Sequence, residues 1–311
     1  MTKEELQEMM EELEDDELIL RKKKPPEQKT GVTAENVLKL AADAFAALLE
    51  KKPRVMCMTH AGAADFTLRA LKALGATGCL VDDMGEASQG TGAVESLLVN
   101  VGCATKPQAD AMRAAVSHAN MGSKPWALDP EGLGALPLRT FTVKELMRRF
   151  PALICGNAAE IDFIVNNAVR APGDAVTSDS VAQDAARLAT VIHAAVALTG
   201  PTDYVAVEGA PLVAIANGAP IMERVSGLGS VQAALGAAIL GALGGKARWE
   251  AALGAALATA IAGERAAAAA KGPGTFVPAF LDALAALKPG DIVKHGKVSL
   301  VPVEERELPI I

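Results

Sequence analysis

Between Thr33 and Lys51 the apolar positions Val37, Leu38, Leu40, Ala41, Phe45, Leu48 and Leu49 recur at helical spacing, and Thr33 stands where a cap belongs. That pattern predicts a helix. Pro53 then precedes Val55-Met56-Cys57-Met58, a short continuous apolar run that reads as a buried strand. The alternation continues, with helices predicted over Phe66 to Leu74, Pro107 to Ala119 and Ala182 to Ile192. Strands are predicted at Gly78 to Val81, Leu97 to Val101, Trp126 to Leu128, Leu153-Ile154 and Ala194 to Leu198. Unbroken apolar strands separated by helices belong to a mostly parallel sheet covered on both faces, an α/β architecture of three layers. Tyr204-Val205-Ala206-Val207 and Leu212-Val213-Ala214-Ile215, joined by Glu208-Gly209-Ala210-Pro211, read as an antiparallel hairpin at one edge of that sheet.

From Ser230 the chain becomes mostly Ala-rich helix. Its most apolar stretches, Val231 to Gly244 and Ala251 to Ala270, are interrupted by Gln232 and by Glu264-Arg265 before the roughly 20 clean residues of a membrane span accumulate. They read as buried helices, with no membrane partner. Neither a repeat nor a linker interrupts residues 31–287, which form one domain. Residues 288–311, with Pro289-Gly290-Asp291 followed by Val293, Val298, Leu300 and Val301, read as an extension made of a short hairpin or an extended arm.

Residues 1–30 differ from the rest, holding 10 acidic and 6 basic side chains. Thr2 with Glu5 fits a capping box, and Leu6, Met9, Leu13 and Leu20 repeat at helical spacing until Pro25-Pro26. Two readings fit this arm: a frayed, solvated segment, or a helix that docks on a partner or a neighbouring subunit. The acidic start is the reverse of a signal peptide, and with four scattered cysteines it points to the cytoplasm. A net charge of −7 over 311 residues leaves no basic field to hold nucleic acid.

In open α/β sheets ligands lie beyond the carboxyl ends of the strands, so the residues just after each strand carry the chemistry. Val225-Ser226-Gly227-Leu228-Gly229-Ser230 opens a long apolar helix, and its glycines and free amides suit an anion. A plain glycine turn before a buried helix fits the same residues. Asn157-Ala158-Ala159-Glu160 places two oxygen-bearing side chains on one helical turn, either to position a hydrated Mg2+ ion or to cap the helix. Asp129 before Pro130 is a metal-associated acid or a turn residue. His60 follows the first strand as a ligand contact or an ordinary loop residue.

Seven ordered blocks now coincide: Met58-Thr59, LKALGA (71–76), LVNVG (98–102), KPWALDP (124–130), GNAAEI (156–161), TGPTDYV (199–205) and GPGTFVPAFLDAL (272–284). Together they resemble the hydroxyethylthiazole kinases over roughly residues 32–287. The resemblance implies a ribokinase-like α/β/α fold and a homotrimer with active sites at subunit interfaces. It further implies that ATP and Mg2+ serve to phosphorylate the primary hydroxyl of a thiazole ethanol in thiamine salvage. It places Asp129 and Glu160 at the metal-associated acids, Thr199 at an ATP contact beside Asn157, and Gly227 beside the transferred phosphate and the substrate.

The chain departs from the family's pattern inside the pocket. Ser230 stands where the family has a cysteine near the substrate hydroxyl, in a catalytic loop formed with Gly227 and Gly229, and Leu228 replaces a threonine. Cys155 stands where an arginine meets the nucleotide, and a neutral thiol does not replace a bidentate cation. On the substrate side, His60 replaces an asparagine and Ala64 a methionine. Two functional classes follow: a small-molecule kinase, weakened by these changes, or a non-catalytic homotrimeric scaffold that engages a partner through its terminal arms.

Overall fold

The computed structural model describes residues 31–168 and 176–304. The charged arm 1–30 and its expected helix lie outside the described residues, as does the segment 305–311. Helix α1 (Ala34–Lys51) starts at its expected cap, where the Thr33 side chain accepts the Asn36 N–H, and it buries Val37, Ala41, Phe45 and Leu48. There follow β1 (Arg54–Met58), α2 (Ala61–Ala73), β2 (Thr77–Leu80), α3 (Met84–Gly92), β3 (Ser96–Asn100) and α4 (Lys106–Met121). The chain continues with β4 (Trp126–Asp129), α5 (Pro137–Met147), β5 (Leu153–Asn157), α6 (Ala158–Asn166), α7 (Ala182–Ile192) and β6 (Ala195–Thr199). Each strand read from the sequence is present within two residues, except that β5 runs three residues past Ile154.

Helices α2 and α3 show what apolar periodicity misses. Helix α2 begins five residues before Phe66 because His60 caps it, and α3 starts because Asp83 accepts the Gly85 and Glu86 N–H groups. In both cases a side-chain cap, not an apolar stripe, sets the start.

Six strands are parallel, in the order β2-β1-β3-β4-β5-β6, and three antiparallel strands complete the sheet: β7 (Asp203–Ala206), β8 (Leu212–Ile215) and β9 (Val298–Val301). The hairpin expected at the edge is real but lies inside the sheet, because β9 pairs with β8. The segment after 287 is therefore not a hairpin or an extended arm. Pro289 opens helix α11 (Pro289–His295), with Asp291 accepting the Lys288 N–H, and β9 then covers the edge that β8 would have exposed.

Between these lie α8 (Leu228–Ala242), α9 (Arg248–Ala269) and α10 (Pro273–Ala286). The two faces of the sheet carry separate apolar cores. One joins Phe45, Leu153, Leu235, Leu253 and Phe280 under α1, α2 and α8 to α11; the other joins Met56, Leu128, Trp126, Val143 and Leu188 under α4 to α7. Helix α8 crosses the sheet centre closely enough that a methyl at Gly236 would overlap Leu153 Cδ2. Among the described residues no helix is long and apolar enough to cross a membrane.

Candidate active site

Strand β1 pairs with β2 on one side and β3 on the other, so the chain leaves β1 in opposite directions and opens a crevice beyond its carboxyl end. His60 follows β1, Asn100 ends β3, Asp129 ends β4, Asn157 ends β5 and Thr199 ends β6. All of these but Asn100, which bonds to Asp129, line a cavity of about 160 Å³ together with Glu131, Cys155, Glu160, Ser226, Gly227, Gly229 and Ser230. Of the eleven positions singled out in the sequence, nine line this cavity; Ala64, buried on the first turn of α2, and Leu228, buried at the start of α8, do not.

Gly227 carries a φ of +90°, a left-handed conformation that favours glycine, and it starts α8 without any side-chain cap. The first-turn amides are therefore free of internal partners and, with the helix dipole behind them, present a partial positive charge to the cavity.

The centre of the site is a polar cluster whose organiser, Asn100, was not among the candidate residues. Its Oδ1 accepts the Gly102 N–H at 2.7 Å, which turns Nδ2 toward three acceptors: Asp129 Oδ2 at 2.6 Å, Glu131 Oε2 at 2.9 Å and Ser230 Oγ. Ser230 in turn donates from Oγ to Asp129 Oδ2 at 2.7 Å. Burial pushes the Asp129 carboxyl up to about 7, with the Glu160 charge adding to the rise and the Ser230 bond opposing it. The only sign of Asn100 in the sequence was its place at the end of a strand, inside LVNVG.

Glu160 is held as a capping residue. Its Oε2 accepts the Asn157 N–H at 2.9 Å and its Oε1 the Gly132 N–H at 3.2 Å, while Asn157 Oδ1 accepts the Glu160 N–H. Burial raises its carboxyl above the usual range, against the pull of the Asn157 and Gly132 N–H groups. Cys155 is buried against the cavity, and desolvation, followed by the Asp129 charge, lifts its thiol well above the ordinary value. It is a neutral wall.

His60 is a helix cap that also reaches an acid of the pocket. Its Nδ1 accepts the Gly62 N–H at 3.2 Å, capping α2, and its Nε2 meets Glu131 Oε2 at 3.0 Å. Accepting at Nδ1 makes Nε2 the protonated nitrogen of a neutral ring. Glu131 was the second residue that the sequence reading passed over.

For a divalent cation the site offers hard carboxylate oxygens. Asp129 Oδ2 is occupied by Asn100 and Ser230, leaving Oδ1, and Glu160 stands behind it. Among the described residues no group of three or more His, Cys, Asp or Glu forms a cage for a metal ion. That donor set fits a cation which keeps most of its waters and takes further oxygens from a substrate phosphate.

A model of the hydroxyethylthiazole kinase family matches residues 45–290. A hydroxyethylthiazole kinase of Klebsiella pneumoniae strain 342 is 43% identical over 234 residues, 75% of this chain and 90% of that protein. One of Tolumonas auensis is 41% identical over 251 residues, 79% of this chain and 94% of its own length. Among solved structures, the hydroxyethylthiazole kinase protein of Pyrococcus horikoshii OT3 superposes with a TM-score of 0.77 at 28% identity, covering 85% of this chain and 99% of that one.

Proposed function

The chain belongs to the hydroxyethylthiazole kinase family, and from that premise we propose that it transfers the γ-phosphoryl group of ATP to the primary hydroxyl of hydroxyethylthiazole or a similar small alcohol. The carrying observation is the uncapped start of α8 at Gly227, which lines one cavity of a ribokinase-like fold together with Ser230 and Asp129. Phosphoryl transfer asks for positioning and for electrostatic stabilisation of charge on the moving group, and peptide amides supply both. They matter more here because, among the described residues, no lysine or arginine lines the cavity.

Magnesium, when bound, neutralises the phosphates; Asp129 Oδ1, and Glu160 through water, are the oxygens that would hold it. The chain's own groups move the proton. Ser230 alone is a weak base, but its Oγ already donates to Asp129 Oδ2. An acceptor hydroxyl meeting Ser230 Oγ passes its proton there as the serine proton shifts to the carboxylate, and Asn100 keeps the pair in register. Thr199 and Asn157 flank the nucleotide side and His60 the acceptor side. A homotrimer with sites at subunit interfaces in the cytoplasm belongs to the same proposal; a solution mass equal to one 31.9 kDa chain would remove the trimer.

The test is phosphate-monoester formation, followed by phosphorus NMR with Mg-ATP and hydroxyethylthiazole, in the wild type and in Cys155→Arg. We expect a slow wild-type reaction and a gain on the order of tenfold from the restored bidentate cation. No monoester from either protein would leave the scaffold reading, in which the fold serves a partner rather than a reaction.

A further inference from the structure

The three carboxylates that line the cavity, Asp129, Glu131 and Glu160, do not share one job. Asp129 is tied to Ser230, and Glu160 is tied to two backbone N–H groups. Glu131 is different. Its Oε2 is held by two neutral donors, the Asn100 amide and the His60 ring, and no described bond uses its Oε1. Its side chain is 42% exposed toward the opening. Its negative charge is therefore placed accurately, with no ion pair to a lysine or arginine among the described residues.

Glu131 also stands at a boundary. His60, to which it bonds, borders a second cavity of about 10 Å³, enough for one water, whose lining includes Thr59, Asn100, Met58 and Met112. Thr59 Oγ1 is buried there, with the residue only 6% exposed, and has no partner among the described residues. An unpaired buried hydroxyl facing a cavity asks for a ligand atom or a water. With Asn157 and Thr199 on the nucleotide side, an acceptor whose hydroxyl reaches Ser230 has its body on the side of His60, beside Glu131.

Resting on the kinase reading above, we infer that Glu131 is a specificity-determining residue and that the acceptor is an alcohol carrying a fixed positive charge on its ring or chain. A neutral acceptor leaves the Glu131 charge unanswered next to incoming phosphates. A cationic one, such as a ring-N-alkylated thiazolium ethanol, places its charge against the open Oε1.

The experiment compares two probes of nearly the same shape, hydroxyethylthiazole and its ring-N-methylated thiazolium salt, as acceptors with Mg-ATP and the full chain. A unit charge at a half-exposed site predicts a kcat/KM ratio favouring the thiazolium by about tenfold in the wild type. In Glu131→Gln, which keeps the hydrogen-bonding shape, the ratio falls to within about twofold of unity. Thermal melting of both proteins shows that the variant is folded. A wild-type ratio at or below unity overturns the inference. So does a preference that survives Glu131→Gln, or a variant altered only in its magnesium dependence. If neither probe is phosphorylated, the kinase reading fails separately, and calorimetric affinities for the same two probes still decide the charge argument without turnover.

Discussion

Asn100 illustrates how one side chain can set a site. Its carbonyl is pinned by the Gly102 N–H, so its amide has no freedom to turn away from Asp129, Glu131 and Ser230. Replacing it by alanine leaves two acids and a hydroxyl sharing a buried space with one donor fewer. We expect Asn100→Ala to lower kcat more than KM for the acceptor by at least tenfold, and to destabilise the fold by about 1–3 kcal/mol, the usual cost of stranding buried polar groups. Kinetics and a denaturant titration read both. The sequence displayed the acids and the glycine loop plainly, because carboxylates after strands and GxG before a helix are local signals. It did not display Asn100 or Glu131, since their roles exist only once β3 and β4 lie side by side, with Asn100 paired to Asp129 in register. Ala64 lies apart from the cavity: it shares a loop-to-helix segment with His60, but the helical turn buries it.

At the scale of elements, the alternation of apolar runs predicted the parallel part of the sheet well, because buried strands need no partner to be recognisable. The ninth strand was illegible for the opposite reason: Val298, Leu300 and Val301 gain their meaning only against β8. A polar clamp fixes that join. Asn217, buried between β8 and the 3-10 turn Pro220–Arg224, donates from Nδ2 to the His295 carbonyl and to Glu264, and its Oδ1 accepts the Lys297 N–H at 2.7 Å. Partial burial pulls the Glu264 carboxyl upward, but bonds from Lys297, the Gly218 N–H and Asn217 outweigh this and hold it below the usual range. A depressed folded-state value means that this stability is present above the unfolded value of about 4 and is lost as pH falls through the folded value. Glu264→Gln is thus predicted to cost about 1 kcal/mol near neutral pH, with the difference from wild type vanishing under acid, in chemical unfolding at a series of pH values.

For the molecule as a whole, the pocket and the scaffold obey different demands. The two apolar cores and the strand order form a three-layer scaffold, and the pocket residues Cys155, Ser230, His60 and Glu131 stand beyond the carboxyl ends of its strands. On the proposed function, the described residues leave a triphosphate to be neutralised by backbone amides, the dipole of α8 and a divalent ion. The measurement that bears on this most directly is a calorimetric titration of the full chain with a magnesium complex of a non-hydrolysable ATP analogue. The account predicts saturable heat at one nucleotide per chain, abolished when magnesium is chelated. Absence of heat up to high nucleotide concentration, or binding indifferent to magnesium, would contradict it.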